Sequence, residues 1–403
     1  MVFAVALSGL NAASEDLGVT ANNVANVNTT GFKKSRTEFA EVFATGTQTV
    51  QQTGSGVRTA KITQEFSQGN VDFTDNALDL AIGGEGFFVL SDNGARSYSR
   101  AGAFGLDNNG FVVNAQGQRL QAYPSAGNGL FNTGTPEDLQ LITGASPPSA
   151  TTRAEFGINL PANAPAPVNP VFDPLDPSSF NHTTSFTAYD SLGSAHTATV
   201  YFIKDAIPNS WSTQVRIDGL PATGNTAITF NANGGLATPV GGLMPLDPFA
   251  VTTGADPISM SLDFSNATQF GNAFGVNSLS QDGFTTGRLT GVSVADDGVV
   301  FARFTNGQST ELGKLALANF VNPGGLQQLG DTSWGESFQS GDALLGEAST
   351  ASFGNIQSGA LEASNVDLTA ELVSMITAQR NFQANAQMIS TSDTVTQTII
   401  NIR

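Results

Sequence analysis

Apolar residues recur every seventh position at both ends of the chain, and this repeat constrains the fold most. Phe3, Leu10, Leu17 and Val24 form the first series, with Ala6 and Ala13 three positions further on along the same face. Leu361, Leu368, Met375, Phe382 and Ile389 form the second, with Leu372, Ala386 and Ile400 in a frame four positions on. A seven-residue apolar repeat keeps one stripe of a helix facing a partner helix. Two such helices at opposite ends of a chain therefore predict a coiled coil between the termini. In SNVDLTAELV, Asn365 or Asp367 can cap the second helix and Glu371 sits in an early turn.

Both helices carry weak seams. Gln379 and Asp393 fall in the Leu372 frame, and Asn381, Gln383, Asn385, Gln387, Ser390, Thr391 and Thr396 leave the other faces polar and uncharged. The first helix runs into ANNVANVNTT, whose side chains compete with the helical backbone. So thin a stripe cannot offset an ordering cost of about 1–2 kcal/mol per residue. The sequence predicts ends that are disordered in a lone chain and fold once neighbours surround them.

Between the ends the texture is β. Charged residues make up 12% of the chain and glycine contributes 44 of 403 residues, a turn-rich composition. Asp92-Asn93-Gly94, Asp107-Asn108-Asn109-Gly110 and Gln116-Gly117 split apolar runs into hairpins, and residues 282–320 repeat the pattern. Pro161 to Pro177 must loop, and strands follow, with a hairpin about Asp190–Gly193 and ISMSLDFS closing a small sheet. The predicted fold is mainly β with α-helical termini. Residues 1–28 and 363–403 form a coiled-coil-like helical domain, and 29–70 form a connector with extended and hairpin structure. Residues 71–147 and 283–362 form a discontinuous β domain, into which 148–282 insert an outer β-barrel or sandwich.

Chemistry is sparse. A net charge of −18 argues against nucleic acid. The dense basic cluster, Lys33, Lys34 and Arg36, reads as a solvated loop or as a contact to an acidic neighbour. The absence of Cys excludes thiol chemistry. The two histidines, His182 and His196, are expected on a loop and strand surface. Asp92, Asp107, Asp190 and Asp297 sit in turns, where carboxylates bond the local backbone. LDNNG lacks the alternating ligands of a calcium loop. GGEGFF lacks the Lys-Ser/Thr of a phosphate loop, and its glycines suit a tight entry into the Phe87–Val89 strand. No catalytic residue, cofactor, metal or small-molecule substrate is expected. The N-terminus lacks a Sec-type signal, and no segment approaches the roughly 18 apolar residues of a membrane span.

ANNVANVNTTGFKKSRTEF resembles the N-terminal signature of the bacterial flagellar rod and hook family. GGEGFFVL and YSRAGAFGLDNNGFVVNAQGQRLQAYP resemble its shared β domain, and SGALEASNVDLTAELVSMITAQRNFQANAQMI its C-terminal helix. The large insert and TNGQSTELGKLALANFVNPGGLQQLGDTSWGES are similar to the hook-type members. The resemblance implies a subunit exported uncleaved through the flagellar type III apparatus. It would polymerise outside the cell into a curved tube, the universal joint that carries motor torque to the filament. It also implies a hook cap, the distal rod and hook–filament junction proteins as partners beside the chain itself. Candidate assembly positions are then Phe3, Leu10, Leu17, Val24, Leu368, Leu372, Met375, Phe382 and Ile389. Asn22, Asn23 and Asn26 are candidates for hydrogen bonds between helices. The alternatives are a distal rod or junction protein of the same family, or a secreted β-rich glycosidase or adhesin.

Overall fold

A computed structural model describes residues 2–42, 54–127, 129–141, 144–222, 226–350 and 352–401. The chain divides into two compact units: residues 1–143, 290–303 and 309–403, and residues 144–289 and 304–308.

In the first unit the termini are two helices, α1 (Val2–Ala25) and α2 (Leu368–Asn401), packed on each other. They run antiparallel: Gly9 lies against Asn385, and Asn23 reaches Glu371. On α1 the seam is built from small residues, Ala6, Gly9, Ala13 and Thr20, continued by Asn23. A Cβ on Gly9 would stand 2.5 Å from Asn385 Oδ1, so the Asn385 side chain occupies the space that the glycine leaves open. On α2 the less exposed positions are Glu371, Met375, Ala378, Phe382, Asn385, Ile389 and Ser392, alternating steps of four and three, with Ala386 beside Asn385. This corrects the companion frame expected for α2 at Leu372 and Ile400, which are exposed, while Ala386 of that frame is partly buried. Met375, Phe382 and Ile389 lie in the seam, but their companions are Glu371, Ala378 and Asn385. Leu372, one residue on from Glu371, is turned about 100° away and is 44% exposed.

Within the connector, β1 (Ser35–Glu41) and β2 (Val57–Gln64) form an antiparallel hairpin, while residues 43–53 lie outside the described residues. The hairpin touches α1 through polar contacts: Thr59 Oγ1 donates to Glu15 Oε2 (2.7 Å) and Val57 N donates to Ser8 Oγ (3.2 Å). Gly56 has a φ of +105°, and a Cβ there would meet Ser8 Oγ at 2.1 Å. Glycine is required on both counts.

The large sheet of this unit interleaves strands from before and after the insert. Ser309–Asn319 pairs with both Arg119–Gly127 and Phe87–Asp92. Strand Phe87–Asp92 is buried on both faces, so alternate residues feed two cores. Phe88 and Leu90 join Leu80, Ile82, Leu120 and Val300, whereas Phe87 and Val89 join Tyr98, Phe320 and Trp334. Gly84 and Gly86, at φ +122° and +127°, make the turn into this strand.

The second unit holds two sheets around one core that includes Phe156, Phe202, Trp211 and Phe264. His182–Tyr189, Ala195–Lys204, Ser210–Ile217 and Thr226–Phe230 form one antiparallel sheet, with the first turn at Asp190–Gly193. ISMSLDFS does not close this sheet. Its Ser261–Asp263 runs parallel to Arg153–Asn159 in the other, because Leu262 and Phe264 complete the core from the opposite side.

Candidate assembly surface

The terminal helices are tied to the β domain by a buried charge cluster. Lys33 Nζ donates to Glu362 Oε1 at 2.6 Å and to the Ser67 carbonyl at 2.7 Å. Gly69 N donates to the same carboxylate oxygen at 2.9 Å, and Arg100 Nη1 reaches Glu362 Oε2 at 3.4 Å. Lys33 and Glu362 are fully buried, and Arg100 nearly so. Burial pulls Lys33 below the ordinary lysine value against the pull of Glu362, and does the same to Arg100. Such a cluster is stable only as a set, because each buried charge needs its partner.

The solvated-loop reading of the basic cluster therefore fails for Lys33, which is buried, while Lys34 is partly and Arg36 largely exposed. Lys34 pairs with Glu65, and Arg36 pairs with Glu38 and Glu65. Asn365 also binds across segments: its Oδ1 accepts from Lys34 N and its Nδ2 donates to the Glu65 carbonyl. Asp367 takes the capping role, accepting from Thr369 N and Ala370 N. Glu362 and Arg100 were not expected as key residues. The available signal was a lone Glu within the otherwise uncharged SGALEASNV.

Of the three asparagines, Asn23 makes the contact between helices. It is buried, accepts from Ser35 N at 2.9 Å, and donates to the Ser35 carbonyl at 2.8 Å and to Glu371 Oε2 at 3.3 Å. Asn26 bonds locally, donating to the Asn22 carbonyl and accepting from Thr29 Oγ1. Asn22 is exposed.

Much apolar surface on the helices faces away from the seam. Phe3, Leu368 and Leu372 are exposed, as are Leu7, Val373 and Ile376. Leu10, Leu17, Val24, Met375, Phe382 and Ile389 are partly buried. Glu15 and Asp16 on α1 and Glu371, Arg380 and Asp393 on α2 are the only charged residues of the two helices. This apolar, weakly charged surface is available for contact with other molecules. Among the described residues no helix is long and apolar enough to cross a membrane.

Between the end of α1 and the 330–334 turn lies a cleft of about 470 Å³ lined by amides, among them Asn22, Asn26, Gln64 and Gln328, with Asp331 as its one carboxylate. Paired carboxylates do not converge there, as glycoside hydrolysis would need. The turn aspartates are engaged locally. Asp107 Oδ1 accepts from Asn109 N and Phe111 N, Asp190 Oδ1 from Leu192 N and Ser194 N, Asp297 Oδ1 from Val299 N, and Asp92 Oδ1 from Asn93 Nδ2.

The expectation for His196 is corrected. It is buried, not on a strand surface, with Nδ1 2.7 Å from Asp218 Oδ2 and Nε2 3.3 Å from Asp190 Oδ2. Its ring lies on the inward side of a strand, where two carboxylates compensate its polarity. His182 is partly buried and stacks on Phe274 with ring centroids 4.4 Å apart.

Four family models match in chain order. "Flagella basal body rod protein" covers residues 3–33 and "Flagellar hook protein FlgE/F/G D1 domain" covers 81–166. "Flagellar basal body protein FlaE D2 domain" covers 159–284 and "Flagellar basal body rod FlgEFG protein C-terminal" covers 357–402. The flagellar hook protein FlgE of Escherichia coli K12 is 41% identical over the full length of both chains. That of Borreliella burgdorferi is 32% identical over 98% of each. The crystal structure of Helicobacter pylori flagellar hook protein FlgE2 shares the fold, with a TM-score of 0.52 and 14% identity over 72% of this chain and all of that one. With full-length identity at this level and all four family regions in order, the chain belongs to the flagellar hook protein family.

Proposed function

We infer that this chain is the structural subunit of a flagellar hook, self-associating into a tube whose inner wall is made by α1 and α2. The observation that carries this reading is the apolar surface that the paired helices leave uncovered, at Phe3, Leu7, Leu368, Leu372, Val373 and Ile376. A helix pair whose seam sets Met375, Phe382 and Ile389 against Ala, Gly, Thr and Asn of α1 buries little and is only partly ordered alone. Neighbouring copies supply the missing burial, so the helices gain order as the tube forms.

The β1–β2 hairpin braces α1. Torque passes from rod to filament through the packed helices. Bending falls to the polar contacts, which exchange partners at modest cost. The further partners are the distal rod below, the hook cap during growth, hook–filament junction proteins above and the flagellar type III export apparatus.

Electron microscopy of concentrated full-length chain, beside a chain spanning residues 26–366, tests the reading. The shorter chain keeps Lys33, Arg100 and Glu362 but lacks both helices. Tubes from the full-length chain alone are expected. Tubes from both, or from neither, would overturn the assignment of the tube wall to the helices.

A further inference from the structure

We propose that His196 is a proton-operated latch for a groove in the inserted β unit. It holds the two walls of the groove together while the imidazole carries both protons and lets them part when one is lost. The groove has a volume of about 770 Å³. One wall is Leu220 to Ala222 and the other is Asp247 to Ala250.

Each wall runs directly into a segment that His196 holds. Just before Leu220 comes Asp218, whose Oδ2 lies 2.7 Å from His196 Nδ1 and whose Oδ1 accepts from Thr197 N at 2.9 Å. The second wall continues into an excursion, residues 250–257, closed at its base by reciprocal backbone bonds between Phe249 and Ile258. Among the described residues two bonds tie down its tip, and both end on the Asp190–Gly193 turn. Thr253 Oγ1 donates to Asp190 Oδ2 at 2.8 Å, and Asp256 N donates to Ser191 Oγ at 3.0 Å. Asp190 Oδ2 also lies 3.3 Å from His196 Nε2. The ring therefore bridges the anchors of the two walls.

Only the imidazolium has a donor on each nitrogen. Loss of one proton leaves a lone pair facing a carboxylate. The shorter contact, to Asp218, keeps its proton, so the break falls between Nε2 and Asp190. Asp190 is fully buried, and His196 is its one cationic partner among the described residues. A buried carboxylate stripped of its cation is costly. Repulsion then drives the 190–193 turn from the ring, and the turn carries the excursion with it.

The charges that bear on the ring are those of Asp218 and Asp190. Its cross-strand partner, Ala188, is neutral, as is Thr253 from the excursion. Arg216, beside Asp218 in the chain, is engaged with the Gly219 carbonyl. Asp256, the one charged residue of the excursion, is exposed.

The chain contains no Cys, so Leu220→Cys with Ala250→Cys takes one spin label on each wall of the full chain in dilute solution. Label distances are measured by electron–electron resonance across pH 4–9. The distance should lengthen and its spread widen as pH rises, with the midpoint of the His196 Hε1 shift. Asp218→Asn should lower that midpoint, because one carboxylate no longer favours the imidazolium. His196→Gln should give the long distance at every pH. A distance that does not change with pH, or a change that persists in His196→Gln, would overturn the latch. Should His196→Gln fail to fold, a midpoint unmoved by Asp218→Asn would overturn it equally. Independently, protection of the Asp256 amide, corrected for intrinsic exchange, should fall about tenfold on proton loss, the effect of roughly 1.4 kcal/mol. Equal protection in both states would break the link from ring to excursion.

Discussion

Lys33 Nζ stands 2.6 Å from Glu362 Oε1, both side chains fully buried, though the two residues are 329 positions apart in sequence. The pair brings the chain leaving α1 to the chain entering α2, and Arg100 ties both to the β domain. Removing the shared anion leaves two cations buried. Glu362→Gln should therefore destabilise the first unit by about 3–5 kcal/mol. Lys33→Met should cost less, because Glu362 keeps Arg100 and Gly69 N–H. Urea unfolding, read from Trp334 fluorescence in a Trp211→Phe background, separates the two cases. Equal losses would show that the carboxylate is not the centre of the cluster.

How much of this was legible in the sequence depends on the range of the forces. The heptads announced both helices, and the turn signals Asp92-Asn93-Gly94 and Asp107–Gly110 announced hairpins, because such signals are local. Lys33–Glu362 was not legible, since nothing local distinguishes a buried lysine from a solvated one. The seam was half legible. Met375, Phe382 and Ile389 stood out as large apolar residues, whereas Gly9, Ala13 and Asn385 act by being small or polar at a close approach. His196 was misread because its alternation along the Ala195–Lys204 strand places it inward, with Ala198, Val200 and Phe202.

The two histidines should titrate in opposite directions. Burial lowers His196, but the Asp218 and Asp190 carboxylates outweigh it and raise the imidazole above its ordinary value. Burial alone lowers His182. A raised folded value stabilises the second unit fully below the unfolded value of about 6.5, and that contribution fades as pH rises through the folded value. Asp190 is held down to about 2: burial opposes this, but bonds from Ser194 N, Thr253 and His196 prevail. Its contribution is present above the ordinary Asp value near 3.9 and is lost as pH falls toward 2. Imidazole Hε1 shifts across pH 4–9, assigned with His182→Gln, check the order of the histidines. A higher midpoint for His182 than for His196 would refute the pairing of His196 with Asp218 and Asp190.

Gly9 should tolerate no large side chain. A Cβ there already meets Asn385 Oδ1 at 2.5 Å and Cγ at 2.9 Å, so Gly9→Leu drives α1 and α2 apart. The cost expected for overpacking is about 1–3 kcal/mol. Asn385→Ala frees the space and should restore part of the loss in the double variant. Circular dichroism at 222 nm and pelleting of polymer provide the two readouts. A double variant no better than Gly9→Leu alone would mean that the helices do not cross at this pair.

Leu372 and Met375 separate the two faces of α2. Met375 lies in the seam with α1, while Leu372 is 44% exposed and turned outward. Met375→Asp puts a carboxylate between the helices of one chain, so it should reduce helix content in dilute monomer and also abolish polymer. Leu372→Asp touches nothing in the monomer seam and should leave monomer helicity and the β units unchanged. In a tube it buries a charge against a neighbouring copy, a cost large enough to prevent assembly. Each copy would also lose the burial of a leucine, worth about 1.5–3 kcal/mol when complete. Pelleting assays on both variants, with helicity measured below the assembly threshold, decide the matter. If Leu372→Asp polymerises at the unmodified concentration, the outward stripe does not face a neighbour and the tube wall must be built from another surface.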